Sequence, residues 1–278
     1  MSVSFPAVPA RTGRSGALIQ QARMVKVLAA TAFKVRYTDT ALGYFWSLAR
    51  PLGLFAVLYV VFGLAFRLEH MVPNYPIFLL LGLVLFFFFS EATSRTMSSI
   101  VEQGPLLRRV AFPPLVIVIA ATVFSLINFG LNLVALTVFV AGSGIAPNFS
   151  WLLLIPLMLE LYVFTLAVSM ILGTLHARFR DMEAIWELVT RIFFYASAIF
   201  FPVQLLPAWA ERLTLVIPFG QVMQDVRALV LPPHDALTAA DLLGGPIGYV
   251  WPLAITAGLF LIAIAFFRRQ QPWFAERL

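Results

Sequence analysis

The stretch Val101–Pro114, VEQGPLLRRVAFPP, decides the fold because of what lies on either side of it. No charged residue occurs from Met71 to Ser90, and none from Val110 to Leu159. Between these runs a charged segment, Glu91 to Arg109, sets Arg95, Arg108 and Arg109 against Glu91 and Glu102. Gly104-Pro105 breaks the backbone, and Phe112-Pro113-Pro114 closes the segment. Charge and unpaired backbone are costly in hydrocarbon, so this piece is expected to leave the membrane, and its arginines put it on the cytoplasmic side. A plain solvated turn has no use for Leu106 and Leu107 beside Arg108 and Arg109. A docking segment does: the leucines fill a cleft on a partner and the arginines pair with acidic groups at its rim.

Composition agrees. Of 278 residues 61% are hydrophobic and 12% charged, against about 25% charged in a soluble domain. This is the composition of an integral membrane protein. Cysteine is absent, which removes disulfides, thiolate nucleophiles and Cys-based metal sites. The three His, at positions 70, 176 and 234, are far apart, so no metal site is expected. The net charge of +6 comes without a dense basic run interleaved with aromatics, so it reads as a topology signal and nucleic acid is not an expected partner. Lys26 follows Val25 and Lys34 follows Phe33, so the chain has no Gly-Lys phosphate loop. If ATP drives this protein, ATP and Mg sit on a separate partner chain, and this chain is expected to bind no cofactor.

Residues 1–17, rich in Pro, Ser, Gly and Arg, read as a flexible cytoplasmic arm. Within 18–40, Leu18–Tyr37 has helical character: Arg23, Lys26 and Lys34 fall within an arc of about 80°, with Met24, Val25, Leu28 and Ala32 largely opposite. Gln21 and Arg36 interrupt that apolar side. Such a helix lies at the inner membrane surface, with cations at the lipid headgroups, or packs on a partner protein.

Residues 41–278 read as a domain of six transmembrane helices. The first span, Gly43–Phe66, has Trp46 and Arg50-Pro51 near its start. The second is Tyr75–Thr93, the third Leu115–Ala141, the fourth Trp151–Leu175, the fifth Ile185–Phe201 and the last Tyr249–Phe267. Glu160 sits near the middle of the fourth, where a charge costs about 2.5–3.5 kcal/mol on insertion scales. It is therefore expected to face protein or water. Phe201–Pro233, divided by Pro202, Pro207 and Pro218, is too broken for a straight span. It reads as two half-helices, Ala208–Val216 and Phe219–Leu231, that cap the outer face or dip into it, with Trp209 and Arg227 among their residues. With six spans, every Lys and Arg except Arg67, Arg212 and Arg227 falls on one side, which puts both termini in the cytoplasm.

The order of these parts resembles the permease subunit of polysaccharide ABC exporters, the ABC-2 type that exports lipid-linked O-antigen, teichoic acid or capsule chains. Lys34-Val35-Arg36-Tyr37, Ala41-Leu42-Gly43 and Trp46 are similar to the family's lead-in to the first span. Leu106-Leu107-Arg108-Arg109 with Phe112-Pro113 resembles its first inner loop, and Phe179-Arg180-Asp181 its second. Pro202 through Pro218, ending near Arg227, resembles its outer re-entrant segment, although Ile217 stands where the family often has Asn before the proline. The resemblance implies an all-α membrane protein of the bacterial cytoplasmic (inner) membrane. It implies a homodimer of this chain with two ATPase subunits, which the interfacial helix and the inner loops (Arg180 and Asp181 included) contact, and a glycan path between the permeases. A glycan needs stacking faces and hydroxyl partners. Tyr59, Tyr162 and Tyr195, with Phe55 and Phe194 nearby in sequence, are candidates for that path; core or lipid-facing packing is the alternative for each. A drug, lipid or peptide exporter of the same type is a rival reading. His176-Ala-Arg-Phe-Arg-Asp181 fits the His-x4-Asp pattern of lipid acyltransferases, but without their mixed α/β domain.

Overall fold

The computed structural model describes residues 14–38, 43–104, 113–231, 237–242 and 244–277, and no strand occurs among them. Ten α-helices follow in order: α1 (Arg14–Thr38), α2 (Gly43–Leu58), α3 (Tyr75–Glu102), α4 (Leu115–Gly142), α5 (Leu154–Arg178), α6 (Met182–Ala196), α7 (Ala208–Val216), α8 (Pro218–Val230), α9 (Ala239–Leu242) and α10 (Val250–Arg277). Leu48–Ala65, Tyr75–Glu102, Leu115–Gly142, Phe149–Arg178 and Gly245–Gln271 are long and apolar enough to cross a membrane.

The bundle is built around α3. A helix that is apolar on all sides must be covered on all sides, and α3 is: it packs on α4, α5, α6 and α8. Its aromatic run supplies the cover. Phe86 meets Phe194 edge-on at 5.0 Å, Phe88 lies 4.8 Å from Phe129, and Phe89 stacks on Phe164 at 5.9 Å. Lipid tails are as apolar as these side chains, so close packing rather than expulsion from water holds such helices together. Gly173 of α5 shows how close: a Cβ there would lie 2.6 Å from Ile100 Cδ1 of α3. A second cluster joins Phe267 and Ala263 of α10 to Ile100, Val118 and Met170.

Three boundaries differ from the sequence reading. First, α1 begins at Arg14, inside the expected arm. It packs against α4 through a face that buries Ala29, while Arg23 and Lys26 stay exposed. Second, the charged segment does not leave the bundle at Glu91. Helix α3 runs unbroken to Glu102, 28 residues or about 42 Å. Its first charges are absorbed by α4: Asn128 donates to Glu91 Oε1 at 2.9 Å, and the Arg95 guanidinium lies 4.0 Å over the Phe124 ring.

Third, the expected fifth span is not one helix. Met182–Ala196 has 15 residues, about 22 Å, shorter than the roughly 30 Å hydrocarbon core. It ends where Ala198 takes a left-handed conformation (φ 50°), and a buried irregular piece follows. Irregular backbone at such depth requires protein donors for its carbonyls, and they are present. Arg227 of α8 donates to Ala198 O at 3.0 Å and Ile199 O at 2.6 Å, and Tyr75 OH donates to Phe200 O at 2.7 Å. Arg227 also reaches Phe78 O at 3.2 Å through Nε and Nη2, and its guanidinium lies 3.5 Å over the Phe78 ring. Gly82 of α3 makes the space, since a Cβ there would stand 2.6 Å from Arg227 Nη2.

The half-helices fall where the prolines put them. Ile217 is extended (φ −73°, ψ 124°), as the residue before proline prefers, and Pro218 opens α8. No side chain caps α8 at Ile217, the position where Asn was expected from the resemblance. The corner between α7 and α8 closes tightly on Gly220, whose backbone approaches the Thr214 carbonyl closely enough to exclude a side chain.

Candidate functional site

Two cavities open beside α3. One, about 480 Å³, lies between α2, α3 and α6. Leu54 of α2 forms one wall, Phe87, Ser90, Ser94 and Ser98 of α3 the floor, and Glu183, Trp186, Glu187, Arg191, Phe194 and Tyr195 of α6 the opposite wall. Helix α6 is amphipathic: its other side shows Ile185, Leu188 and Ile192 to the exterior. Glu187 and Arg191 pair at 2.8 Å on the exposed surface, and Trp186 Nε1 donates to Thr93 Oγ1 at 3.1 Å. The cavity thus presents hydroxyls and ring faces in an otherwise apolar bundle, with the carboxylate–guanidinium pair at its exposed edge, a mixture that engages a polyol.

Of the candidate path residues, Phe194 and Tyr195 line this cavity; Tyr195 is 59% exposed. Phe55 and Tyr59 stack on each other at 5.9 Å on α2, away from its floor. Tyr59 is less central than its sequence position suggests. Its hydroxyl donates to Glu69 of the following loop at 3.0 Å, and it opens a π-helical stretch, Tyr59–Ala65, that continues α2. The two pairs are linked through Tyr75 and Phe200, which sequence reasoning did not single out: Tyr59 stacks on Tyr75, the Tyr75 hydroxyl donates to Phe200 O, and the Phe200 ring contacts Phe194 at 5.9 Å. Tyr162 stands apart, its hydroxyl 3.3 Å from Thr122 Oγ1 between α4 and α5.

Glu160 is half-buried with Oε1 fully covered, and its helix α5 packs against α8, which carries Asp225. Asp225 accepts from Gln221 and, at 3.4 Å, from Tyr249 OH. Among the outer-segment residues, Pro202, Pro218 and Arg227 are buried, whereas Pro207 is exposed and Trp209 points outward at 71% exposure. Leu213, one turn on from Trp209 in α7, is also exposed, as is Leu205 ahead of the helix.

At the other end of the bundle, Arg180 and Asp181 are exposed in the turn between α5 and α6, beside Phe179, which is 53% exposed. Arg50 is exposed on α2. Leu106, Leu107, Arg108, Arg109 and Phe112 lie outside the described residues, as do the side chains of Lys34, Arg36, Tyr37 and Trp46. The His-x4-Asp pattern does not form a dyad: His176 is buried, and its Nδ1 has no hydrogen-bond partner among the described residues.

The ABC-2 type transporter family profile matches residues 23–231. The chain is 27% identical over 249 residues to the O-antigen export system permease protein RfbA of Klebsiella pneumoniae, covering 88% of this chain and 91% of that one. The Myxococcus xanthus protein of the same name is 26% identical over 251 residues, with the same coverage. The polysialic acid transport protein KpsM of Escherichia coli is 27% identical over 229 residues, 80% of this chain and 86% of that one.

Proposed function

The chain belongs to the ABC-2 type transporter family, and from that premise we propose that it is the permease subunit of an ATP-driven exporter of lipid-linked polysaccharide. Its relatives carry O-antigen export and polysialic acid transport in their names. The observation that carries the reading to a glycan is the cavity between α2, α3 and α6, where the hydroxyls of α3 and aromatic rings stand together in an otherwise apolar bundle. A drug or lipid exporter has less use for such a lining.

In this proposal the active unit contains two copies of this chain. The strongly exposed apolar faces of α2, its π-helical continuation and α6, among them Val57, Val60, Leu188 and Ile192, are the surfaces a second copy and lipid would share. Two copies of a partner ATPase hold ATP and Mg; this chain lacks the Gly-Lys loop for them. The ATPase docks on Leu106, Leu107, Arg108, Arg109 and Phe112 and, secondarily, on the exposed turn at Arg180 and Asp181. Both termini are cytoplasmic, which sets the Glu102 end of α3 on the cytoplasmic side of the inner membrane.

The test is genetic and biochemical together. A strain lacking this gene should lose surface polysaccharide and regain it with the wild-type chain. The Leu106→Asp variant should insert normally yet fail to retain the ATPase during purification, because an unpaired charge in a docking cleft is strongly destabilising. Surface polysaccharide that is unchanged in the deletion strain would reject the function; normal retention of the ATPase by Leu106→Asp would reject the docking site alone.

A further inference from the structure

The second cavity, about 670 Å³, lies on the other side of α2, enclosed by α1, α2, α3 and α4. Its floor is the same face of α3: Phe87, Ser90, Ser94 and Ser98 line both cavities. Serines at every fourth position keep one stripe of hydroxyls on one side of a helix. The middle of α2, Arg50 to Leu54, bridges that stripe, with Arg50 and Pro51 in one cavity wall and Leu54 in the other.

The charges in the lining balance. Arg50 and Arg95 stand with Glu91 and Glu102. Glu91 and Arg95 lie 3.9 Å apart, one turn apart on α3, and Asn128 ties Glu91 to α4. The remaining polar lining is neutral: the three serines, Ser99, Gln103, Asn128 and Asn132. Gln103 Oε1 is covered and has no hydrogen-bond partner among the described residues. A lining this polar does not stay dry, and its size is within the roughly 300–1,000 Å³ of small-molecule sites. A phosphate or carboxylate would require an excess of cations, which the described lining residues do not supply. A neutral, hydroxyl-rich ligand matches it: amides, hydroxyls and a held carboxylate offer donors and acceptors at fixed positions, and Phe87 offers a ring.

We propose that the cavity between α1, α2, α3 and α4 is a carbohydrate subsite that holds a neutral sugar residue beside the main path, with the serine face of α3 shared between subsite and path. This rests on the glycan-export reading above and adds a site to it. The sugar belongs either to the polymer interior or to the lipid-linked first unit; the chemistry of recognition is the same.

Because the chain contains no cysteine, single cysteines report on the cavity without background. Asn132→Cys and Gln103→Cys sit in it and not in the main cavity, and Ser143→Cys, exposed beyond the far end of α4, is the control. Each is expressed with its ATPase in cells, and labelled by the small cationic thiol reagent aminoethyl methanethiosulfonate. Three backgrounds are compared: no glycan made, the lipid-linked first sugar only, and full polymer stalled by an ATPase that binds but does not hydrolyse ATP. We expect labelling of both cavity cysteines without glycan, and at least a fivefold slower rate in one or both glycan backgrounds, while Ser143→Cys is unchanged. Slowing in the first-sugar background assigns the subsite to the carrier-linked unit; slowing with polymer alone assigns it to the chain interior. Cysteines that resist the reagent without glycan, or that label equally in all backgrounds, overturn the subsite. Export by the wild-type chain, measured in the same strains, separates that failure from failure of the glycan-export reading.

Discussion

Helices α2 and α3 are comparably apolar, yet 17% of the membrane-length window through α2 is buried against 78% of that through α3. Apolarity alone therefore does not say which helix is interior. What separates them is the kind of neighbour each can accept. Helix α3 carries small or hydroxyl residues where others approach: Gly82 admits Arg227, and Thr93 receives the Trp186 indole. Helix α2 and the π-helical stretch that continues it carry Val57, Val60, Val61 and Leu64, which stay exposed among the described residues. The bundle is thus a fixed centre, α3 with α4, α5 and α8, and a loosely held flank, α2 and α6, that borders the cavities. Substitutions in the centre should act on stability, and those on the flank on transport.

The largest effect is expected at Gly82. Gly82→Leu drives a side chain into Arg227 and the Ile199 carbonyl, and should abolish a monodisperse permease peak in detergent size-exclusion chromatography. A well-behaved peak would mean that the centre yields. Arg227→Met comes next. It leaves the Ala198 and Ile199 carbonyls without their donor and should cost about 3 kcal/mol, since each lost partner of a buried polar group costs about 1–3 kcal/mol. A thermal melt reads this, and Arg227→Lys should rescue it poorly because an ammonium lacks the planar fork. On the flank, Tyr195→Ala should leave the melt within about 0.5 kcal/mol of wild type while reducing export about tenfold. Equal export would return Tyr195 to a lipid-facing role. The smallest effect is expected for Glu187→Gln, which breaks an exposed pair worth about 0.3–0.5 kcal/mol on a helix.

The same contrast explains what could be read without coordinates. Spans three and four and both half-helices are bounded by Pro, Gly and charge, which act locally, and their ends fall within a few residues of expectation. The fifth span was not legible, because its termination depends on Arg227, 28 residues beyond Ile199, turning back to bind the carbonyls. The continuation of α3 past Glu91 to Glu102 was not legible either. A carboxylate after an apolar run reads as a membrane exit, and its partner Asn128 lies 37 residues on, within an uncharged run. The serine stripe at Ser90, Ser94 and Ser98 was visible in its spacing, but its significance required seeing a cavity on each side of it. For Tyr162 the sequence offers only depth within a span, and depth does not say which side of a helix a residue occupies.

The Arg227 clasp also sets an order of events during synthesis. Ala198 and Ile199 emerge from the ribosome 29 and 28 residues before the side chain that receives their carbonyls. At about 5–20 residues per second the interval is a few seconds. Throughout it, the segment after α6 has no donor from α8, so it cannot settle into its buried place and is best served by water or the insertion machinery. The outer end of the bundle therefore closes only once α8 has been made and has folded back against α3. A chain truncated before Arg227 would carry α2 to α6 but leave that backbone open, a mark by which quality control could tell an unfinished permease from a finished one.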